Sequence, residues 1–562
     1  MDDTIRLHQL FEREWDAWME RYPTWASSLG DRRFNDRWED LSPDAIETWN
    51  GHLAKVIQEF DSFDPDLLTP EDRLNRELLR LHYANEVEEH DQGLFCFALN
   101  QRDGPQTAAE LGTRLRFETP KDYEDWIDRL RSFPAYLQQA QELLAEGVRR
   151  RIVHPRIIME RIPRQLDAQV VEKPEESPFH EPFAHFPESI PARDRKRLTA
   201  AALEAITTHI VPAFVRFKEF FVGAYLPGCF PEVGIWQVPG GDEIYRFLVR
   251  EHTTRDLTPD DVHDIGLAEV SRIESEMHDV MRQTGFSGSL AEFFAFLRSD
   301  SRFYYGTPEQ LLTAYRSLCK RIDPWLVKLF GVLPRMPYGV EPIPDTIAPD
   351  TTTAYYSRPA ADGSRAGTYY VNLYRPETRP RYEMVPLSLH EAVPGHHLQI
   401  ALAMEQAELP TFRRHLAYHA YTEGWALYAE RLGEEMGLYE DPYDRFGQLS
   451  FAMWRAARLV IDTGIHWKRW SRDQGIGFLR DHTPKSELDI VNEVDRYIAW
   501  PGQALSYAIG EITIRELRQK AEGALGTRFD VRAFHDAILR TGAVPLDVLT
   551  RHVEDWMGEQ RS

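Results

Sequence analysis

The chain has 562 residues, of which 42% are hydrophobic and 28% are charged, as in an ordinary folded soluble protein. Its 66 Lys and Arg residues stand against 90 Asp and Glu residues, and the net charge of −24 disfavours nucleic acids and anionic membranes as partners. The three cysteines form no disulfide framework, the first residues lack the features of a signal peptide, and no run of 18 apolar residues occurs. We therefore expect a cytoplasmic protein that does not span a membrane.

The first half of the chain predicts helices. Apolar residues recur every three or four positions from Thr4 to about Phe60. Three Thr-Pro pairs followed by acidic residues have the composition of capped helix starts, and the predicted helices run over about 70–87, 120–150 (with a kink at Pro134) and 259–284. Further helices are predicted over about 191–223 and 242–254, and residues 172–190 are predicted to form a surface loop.

One region, residues 338–374, has the composition of strands. Residues 351–356 and 368–373 are two candidate strands, and residues 361–364 are a candidate hairpin turn between them. The strand that reaches Asn372 either pairs at its edge with an extended peptide or belongs to a purely structural hairpin. Helical patterns then continue almost to the C-terminus, so we predict a mainly α fold with one small sheet.

A motif of metal-binding residue types follows this sheet. It consists of His390 and Glu391, then a Pro-Gly pair, then His396 and His397. Zinc hydrolases of the HExxH type place two histidines at i and i+4 on one helix face, with the Glu as general base. Here the second histidine is six or seven residues from the first, and seven residues of unbroken helix rise ~10 Å, too far for one ion.

The Pro-Gly pair supplies the distortion that a shared metal would need. Pro394 cannot donate a hydrogen bond to the carbonyl of His390, and Gly395 tolerates unusual dihedral angles, so we expect a bulge over 393–395. With two residues looped out, His390 and His396 become equivalent to i and i+4. This favours His396 over His397 as the second ligand. The alternative is a helix that ends at Pro394 with exposed histidines in a turn.

A second helical segment, 416–432, carries two glutamates. Glu423 is the candidate third ligand, because its neighbours Gly424 and Trp425 indicate a buried position where an unpaired carboxylate would be costly. Glu430 lies two turns further along and either replaces Glu423 or orients a ligand imidazole from behind.

The segments around His390–Gln399 and Thr422–Tyr428 resemble the bacterial family of domain of unknown function 885, and the similarity covers most of the chain. That family in turn resembles the helical gluzincin zinc peptidases related to thimet oligopeptidase, angiotensin-converting enzyme and the Taq-type carboxypeptidases. The resemblance implies zinc, hydrolysis of short peptides and a large helical fold with a deep cleft. We expect one domain over 1–562. The alternative is a division of that domain into two lobes, about 1–240 and 241–562. The two-residue insertion between the histidines departs from the gluzincin pattern.

Two later segments also look like that family. Arg458, Asp462 and His466 recur every four residues and form either a solvated face or a polar network behind the metal. In the segment 496–507, Tyr507 is the first and Tyr497 the second candidate for stabilising an oxyanion, as a tyrosine or histidine does in related peptidases. Arg496 is a candidate for binding a substrate carboxylate; the alternative is an ion pair with Glu493 or Asp495.

These residues predict a mechanism in which Glu391 acts as general base beside a zinc ion held by His390, His396 and Glu423. Short peptides or small amides are the expected substrates. The same site would also suit a zinc hydrolase of non-peptide amides or esters. A third alternative is a helical binding protein without catalytic activity, although the intact His390-Glu391 pair argues against it.

Overall fold

The structure is a computed structural model that describes residues 3–345, 348, 352–360, 363 and 365–561. It divides into two compact units, Met1–Gly241 and Asp242–Ser562. The prediction of a mainly α protein with one small sheet is confirmed. The second unit contains all the candidate site residues.

The first unit is built from helices. The α-helices are α1 Asp3–Arg21, α2 Pro23–Leu29, α3 Pro43–Asp61, α4 Pro70–Asp91, α5 Glu110–Arg114, α6 Pro120–Arg150, α7 Arg156–Met159, α8 Ile162–Asp167, α9 Ala192–Ala205, α10 Val211–Phe220 and α11 Leu226–Gly228. The predicted starts of α4 and α6 are present, and α6 continues through Pro134. The predicted loop over 172–190 contains short 3-10 turns with Phe179 and Phe183 buried.

The α9–α11 segment forms one continuous helix, because π-helical turns at 206–210 and 221–225 join its three parts. By length and composition alone, this helix could cross a membrane, although polar residues such as Glu204 leave it without an uninterrupted run of 18 apolar residues. Core helices of soluble proteins often have the same length and composition. Phe214, for example, packs on Phe133 of α6 with ring centroids 5.3 Å apart.

The second unit begins with helix α12. Its α-helices are α12 Gly241–Thr253, α13 Pro259–Gln283, α14 Leu290–Ser299, α15 Pro308–Leu329, α16 Met384–Glu391, α17 His396–Glu405, α18 Thr411–His415, α19 His419–Arg431, α20 Pro442–His466, α21 Arg472–His482, α22 Glu487–Ala499, α23 Ser506–Leu525, α24 Val531–Arg540 and α25 Leu546–Arg561. Helix α20 lies in the core of this unit, packed against α13 through side chains such as Ile273, Met277, Met453 and Val460.

The small sheet has three strands, β1 Tyr338–Pro342, β2 Ala354–Ser357 and β3 Gly367–Val371, in the order β1-β3-β2. Strands β2 and β3 are antiparallel, with Ala354 opposite Val371, as the two candidate strands predicted. Strand β1 was not predicted as a separate strand and pairs parallel to β3. Of the predicted turn, residues 361, 362 and 364 lie outside the described part, as does Thr351 of the first candidate strand.

The central position of β3 corrects one expectation. Both sides of β3 are paired, so the strand leading to Asn372 offers no edge to an extended peptide. The Asn372 side-chain amide instead donates to the carbonyls of Ala348 and Thr352 at 2.7 and 3.1 Å. The strand is therefore structural.

Helices α19 and α23 cross in direct backbone contact. A Cβ atom added to Gly510 would lie 1.9 Å from the carbonyl oxygen of Ala420, and one added to Gly424 would lie 2.5 Å from the Cα of Gly510. Only glycine fits on both sides of this crossing. The contact places Glu423, next to Gly424, close to the start of α23.

Candidate metal centre

A sharp break between α16 and α17 positions the two histidines. The sequence predicted a bulge over 393–395, but the first helix ends completely at Glu391 and the second begins at His396. Gly395 folds back onto the last turn of α16, since an added Cβ would lie 1.9 Å from the carbonyl oxygen of His390. The Trp425 indole of α19 donates to the Pro394 carbonyl at 2.8 Å and holds the break in place.

The break brings together three side chains of the types that bind zinc. One possible ligand atom from each of His390, His396 and Glu423 lies within 4.8 Å of the other two. Both histidine Nε2 atoms lie 3.5 Å from Oε2 of Glu423, and the two imidazole planes are at 86° to each other. These three are the predicted ligands, and the nitrogens and the oxygen converge on one point.

The electrostatics of this group are those of a cation site. Burial lowers the pKa of His390, but the carboxylates of Glu423 and Glu430 outweigh burial and raise the pKa to about 9. Burial raises the pKa of Glu423, but His396 and His390 outweigh it and hold that pKa well below its usual range. The surroundings therefore favour a positive charge among these groups.

Glu430 lies behind His390 and not beside the converging atoms. Its Oε1 is 2.8 Å from Nδ1 of His390, and Arg455 lies 3.6 Å from the same oxygen. A carboxylate that accepts from one imidazole nitrogen fixes the ring and leaves the other nitrogen free for a metal. Of the two glutamates, Glu423 has the geometry of a ligand and Glu430 that of an orienting group.

His397 points away from this group. Its Nδ1 is 2.8 Å from the Tyr356 hydroxyl of β2, and its Nε2 is 3.0 Å from the Met336 carbonyl. Burial lowers its pKa to about 4. With both ring nitrogens engaged, His397 connects the start of α17 to the sheet.

The donor set fits zinc. Two imidazoles and one carboxylate are a known catalytic set that leaves a fourth coordination position open. The buried Oε2 of Glu423 has no hydrogen-bond partner among the described residues, an arrangement that is costly unless a cation is bound. The half-buried Glu391 carboxylate is adjacent to His390 and acts electrostatically on it.

The structure separates the two candidate tyrosines. Tyr497 is fully buried behind Arg458, out of reach of a substrate. Tyr507 is half-buried, and its hydroxyl accepts a hydrogen bond from Arg496 at 3.3 Å. Arg496 also forms the alternative ion pair, with Glu493, at 3.0 Å.

The stripe on α20 is buried, so it is not a solvated face. Asp462 accepts hydrogen bonds from the Tyr245 hydroxyl at 2.7 Å and the Gly502 amide at 3.0 Å, and burial raises its pKa to about 7. His466 lies with its Nε2 2.9 Å from the Tyr497 carbonyl. These bonds hold the segment 497–502, and the role of Asp462 and His466 behind the metal stays a prediction.

One residue near the site was not predicted. His419 is exposed and lies one helical turn before Glu423, with its ring 6.1 Å from that of Trp500. Although the residue as a whole is exposed, desolvation by the neighbouring groups lowers its pKa, and the charges of Glu423 and Arg496 also act on it. The i, i+4 spacing to Glu423 on a predicted helix was the signal that could have identified it.

Solved structures share this fold. A candidate lipoprotein from Colwellia psychrerythraea is 29% identical, with a TM-score of 0.94 and 99% of each chain covered. A candidate lipoprotein of unknown function from Shewanella oneidensis is 16% identical, with a TM-score of 0.70 over 97% of this chain and 99% of the other; this likeness shows the fold alone. No curated protein matches the chain. The family described as "Bacterial protein of unknown function (DUF885)" matches residues 23–553, and the chain therefore belongs to this family.

Proposed function

We propose that this protein is a zinc-dependent hydrolase, and specifically a metallopeptidase that acts on short peptides. One observation carries the proposal: ligand atoms of His390, His396 and Glu423 lie within 4.8 Å of one another. His390, His396 and Glu423 would hold the zinc ion. Zinc in such a site lowers the pKa of a coordinated water and polarises a carbonyl group.

The residues of the chain supply the proton transfers. Glu391, half-buried beside His390, takes a proton from the attacking water and passes it to the leaving amine. The Tyr507 hydroxyl, polarised by Arg496, donates a hydrogen bond to the oxygen on which negative charge develops. Glu430 keeps the His390 ring in orientation throughout.

Two measurements test the proposal. Plasma mass spectrometry of protein purified without added metal should find about one zinc per chain, and His390→Ala should lose it. Glu391→Gln should keep the zinc but lower turnover of a cleaved peptide by about 10²–10⁴-fold, because general base catalysis contributes that much.

Glu408→Gln is the matched control, since Glu408 is an exposed acid just beyond the end of α17. It should leave both zinc content and turnover unchanged. Normal turnover by Glu391→Gln would reject Glu391 as the base. A metal-free wild-type protein that stays metal-free with zinc supplied would reject the site. A panel of peptides, non-peptide amides and esters identifies the hydrolysed bond.

We also propose a cytoplasmic location. The names of the two structural relatives favour a membrane-attached protein instead, so fractionation of cells that express the native gene is the test. Recovery in the membrane fraction would overturn the cytoplasmic assignment.

A further inference from the structure

Two buried arginines on neighbouring helices share one carboxylate. Arg458 of α20 lies 2.7 Å from Oε1 of Glu493, and Arg496 of α22 donates to the same oxygen at 3.0 Å. The arginine side chains are only 4% and 10% exposed. Nε and Nη1 of Arg458 have no hydrogen-bond partner in the described part of the chain. Buried cations are stable only when they are paired, so a second anion would stabilise this cluster.

The other acids nearby are engaged elsewhere. Asp495 forms an ion pair with Arg472 at 2.6 Å. Asp462 is bound by the Tyr245 hydroxyl and the Gly502 amide. Two guanidinium groups therefore face one committed carboxylate, and the cluster retains a positive charge.

Tyr507 is a partly exposed residue beside this cluster. Its half-buried ring lies 4.2 Å from the Arg458 guanidinium, and its hydroxyl oxygen accepts from Arg496. Its O–H is thus free to donate to the oxyanion, as proposed above, beside the place where a carboxylate would bind. Gln503, which also accepts from Arg496, lines the other side.

The cluster is near the candidate metal centre. Tyr507 lies one helical turn before Gly510, whose backbone contacts Gly424 beside Glu423. His419, one turn before Glu423, is in electrostatic contact with both Glu423 and Arg496. The two places are therefore linked through the start of α23 and through His419.

We propose that Arg458 and Arg496, with Gln503, bind the free C-terminal carboxylate of the substrate, so that the enzyme is a carboxypeptidase. A planar carboxylate matches the fork of a guanidinium group and pairs with it through two hydrogen bonds. This inference rests on the proposed metallopeptidase function and adds its substrate class.

The experiment compares peptides of one sequence that differ only at the C-terminus. The zinc-loaded wild-type protein is given a free acid, the corresponding amide, and an amide whose last residue is Glu, which offers a side-chain carboxylate instead. We expect kcat/KM for the free acid to exceed that of both amides at least ~10-fold, the size of a charge-assisted hydrogen bond. Arg496→Gln should reduce this acid-to-amide ratio towards one, whereas Arg480→Gln, at an exposed arginine of α21, should keep it.

Binding is measured independently of turnover. In the Glu391→Gln protein, fluorescence anisotropy of labelled peptides should show at least ~10-fold tighter binding of the acid than of the amide. Arg496→Gln in the same background should remove the difference. Should Arg496→Gln fail to fold, Arg496→Lys, which keeps the charge but not the fork, should give an intermediate ratio.

The outcomes separate the two proposals. Equal rates and equal binding of acid and amide would overturn the carboxylate site and leave the metallopeptidase standing. If the peptide amide that ends in Glu has the same kcat/KM and affinity as the free acid, the site binds a side-chain carboxylate and carboxypeptidase action is rejected. Hydrolysis of none of the peptides, together with selective binding of the acid, would reject the proposed peptidase function and keep the carboxylate site.

Discussion

Replacing Gly510 by alanine tests whether the crossing of α19 and α23 is as tight as the structure indicates. The new Cβ would lie 1.9 Å from the Ala420 carbonyl oxygen, about 1.5 Å short of the ordinary contact distance of 3.4 Å. The clashing atom belongs to the backbone, so the two helices must separate. Such overpacking costs about 3 kcal/mol, offset by about 1 kcal/mol of helix propensity gained from alanine.

The matched control is Gly523→Ala on the same helix. Gly523 is exposed, and an added Cβ would meet no atom within 4 Å. This variant should gain about 0.5–1 kcal/mol from helix propensity alone. Urea denaturation followed by circular dichroism should therefore place the two variants about 3 kcal/mol apart in free energy of unfolding.

The same displacement should reach the candidate metal centre. Glu423 adjoins Gly424 at the crossing, and metal sites tolerate only about 0.2 Å of change in ligand distance. Gly510→Ala should weaken zinc binding at least ~10-fold, equivalent to about 1.4 kcal/mol, in competition with a fluorescent chelator. Equal stability and equal zinc affinity of the two alanine variants would refute the backbone contact.

Three further outcomes are expected. Glu423→Ala should lose zinc, whereas Glu430→Ala should bind it about 10–100-fold more weakly, since an orienting group is removed and not a ligand; the reverse result in a zinc titration would exchange their roles. Burial raises the pKa of Asp462 to about 7, so the folded state holds this proton more tightly than the unfolded state and loses stability as pH rises from about 4 to about 7. Asp462→Asn removes this loss. Between pH 4 and pH 8, its free energy of unfolding relative to the wild type should therefore rise by on the order of 2–4 kcal/mol, which urea denaturation at both pH values would show. A difference that does not change with pH would contradict the shifted pKa. Burial also raises the pKa of all three cysteine thiols, to about 11 or 12, so a disulfide reagent should label the native protein far more slowly than the unfolded one, and rapid labelling would show that a thiol is accessible.

Local sequence was sufficient to identify the three converging side chains. Metal-binding residue types around Pro394 and Gly395 predicted that two histidines would meet despite their spacing. The choice of His396 over His397 followed from counting looped-out residues. What fixes the actual break is the contact of Gly395 with the His390 carbonyl and the bond from Trp425, and long-range contacts of this kind leave no local pattern.

Other features could not be read from the chain for related reasons. Charged residues every four positions on α20 have the same spacing whether they face water or a neighbouring helix, so the burial of Arg458 and Asp462 depends on packing between distant segments. Strand β1 contains Gly339 and Pro342, both poor strand formers, and is defined by its partner β3. The sequence ranks Tyr507 ahead of Tyr497 but carries no signal of their exposure, which only the fold determines.

The break between α16 and α17 also affects how such sites are recognised in other genomes. Ligand spacing here is set by a reversal of the backbone at Pro394-Gly395 and not by the helical repeat. A search for a His-Glu pair followed by two variable residues and a second His would miss this chain altogether. A pattern of His-Glu, two variable residues, Pro-Gly and then His describes the same cluster, and sequences that carry it with a downstream Glu-Gly-Trp are candidates for a metal centre of this geometry.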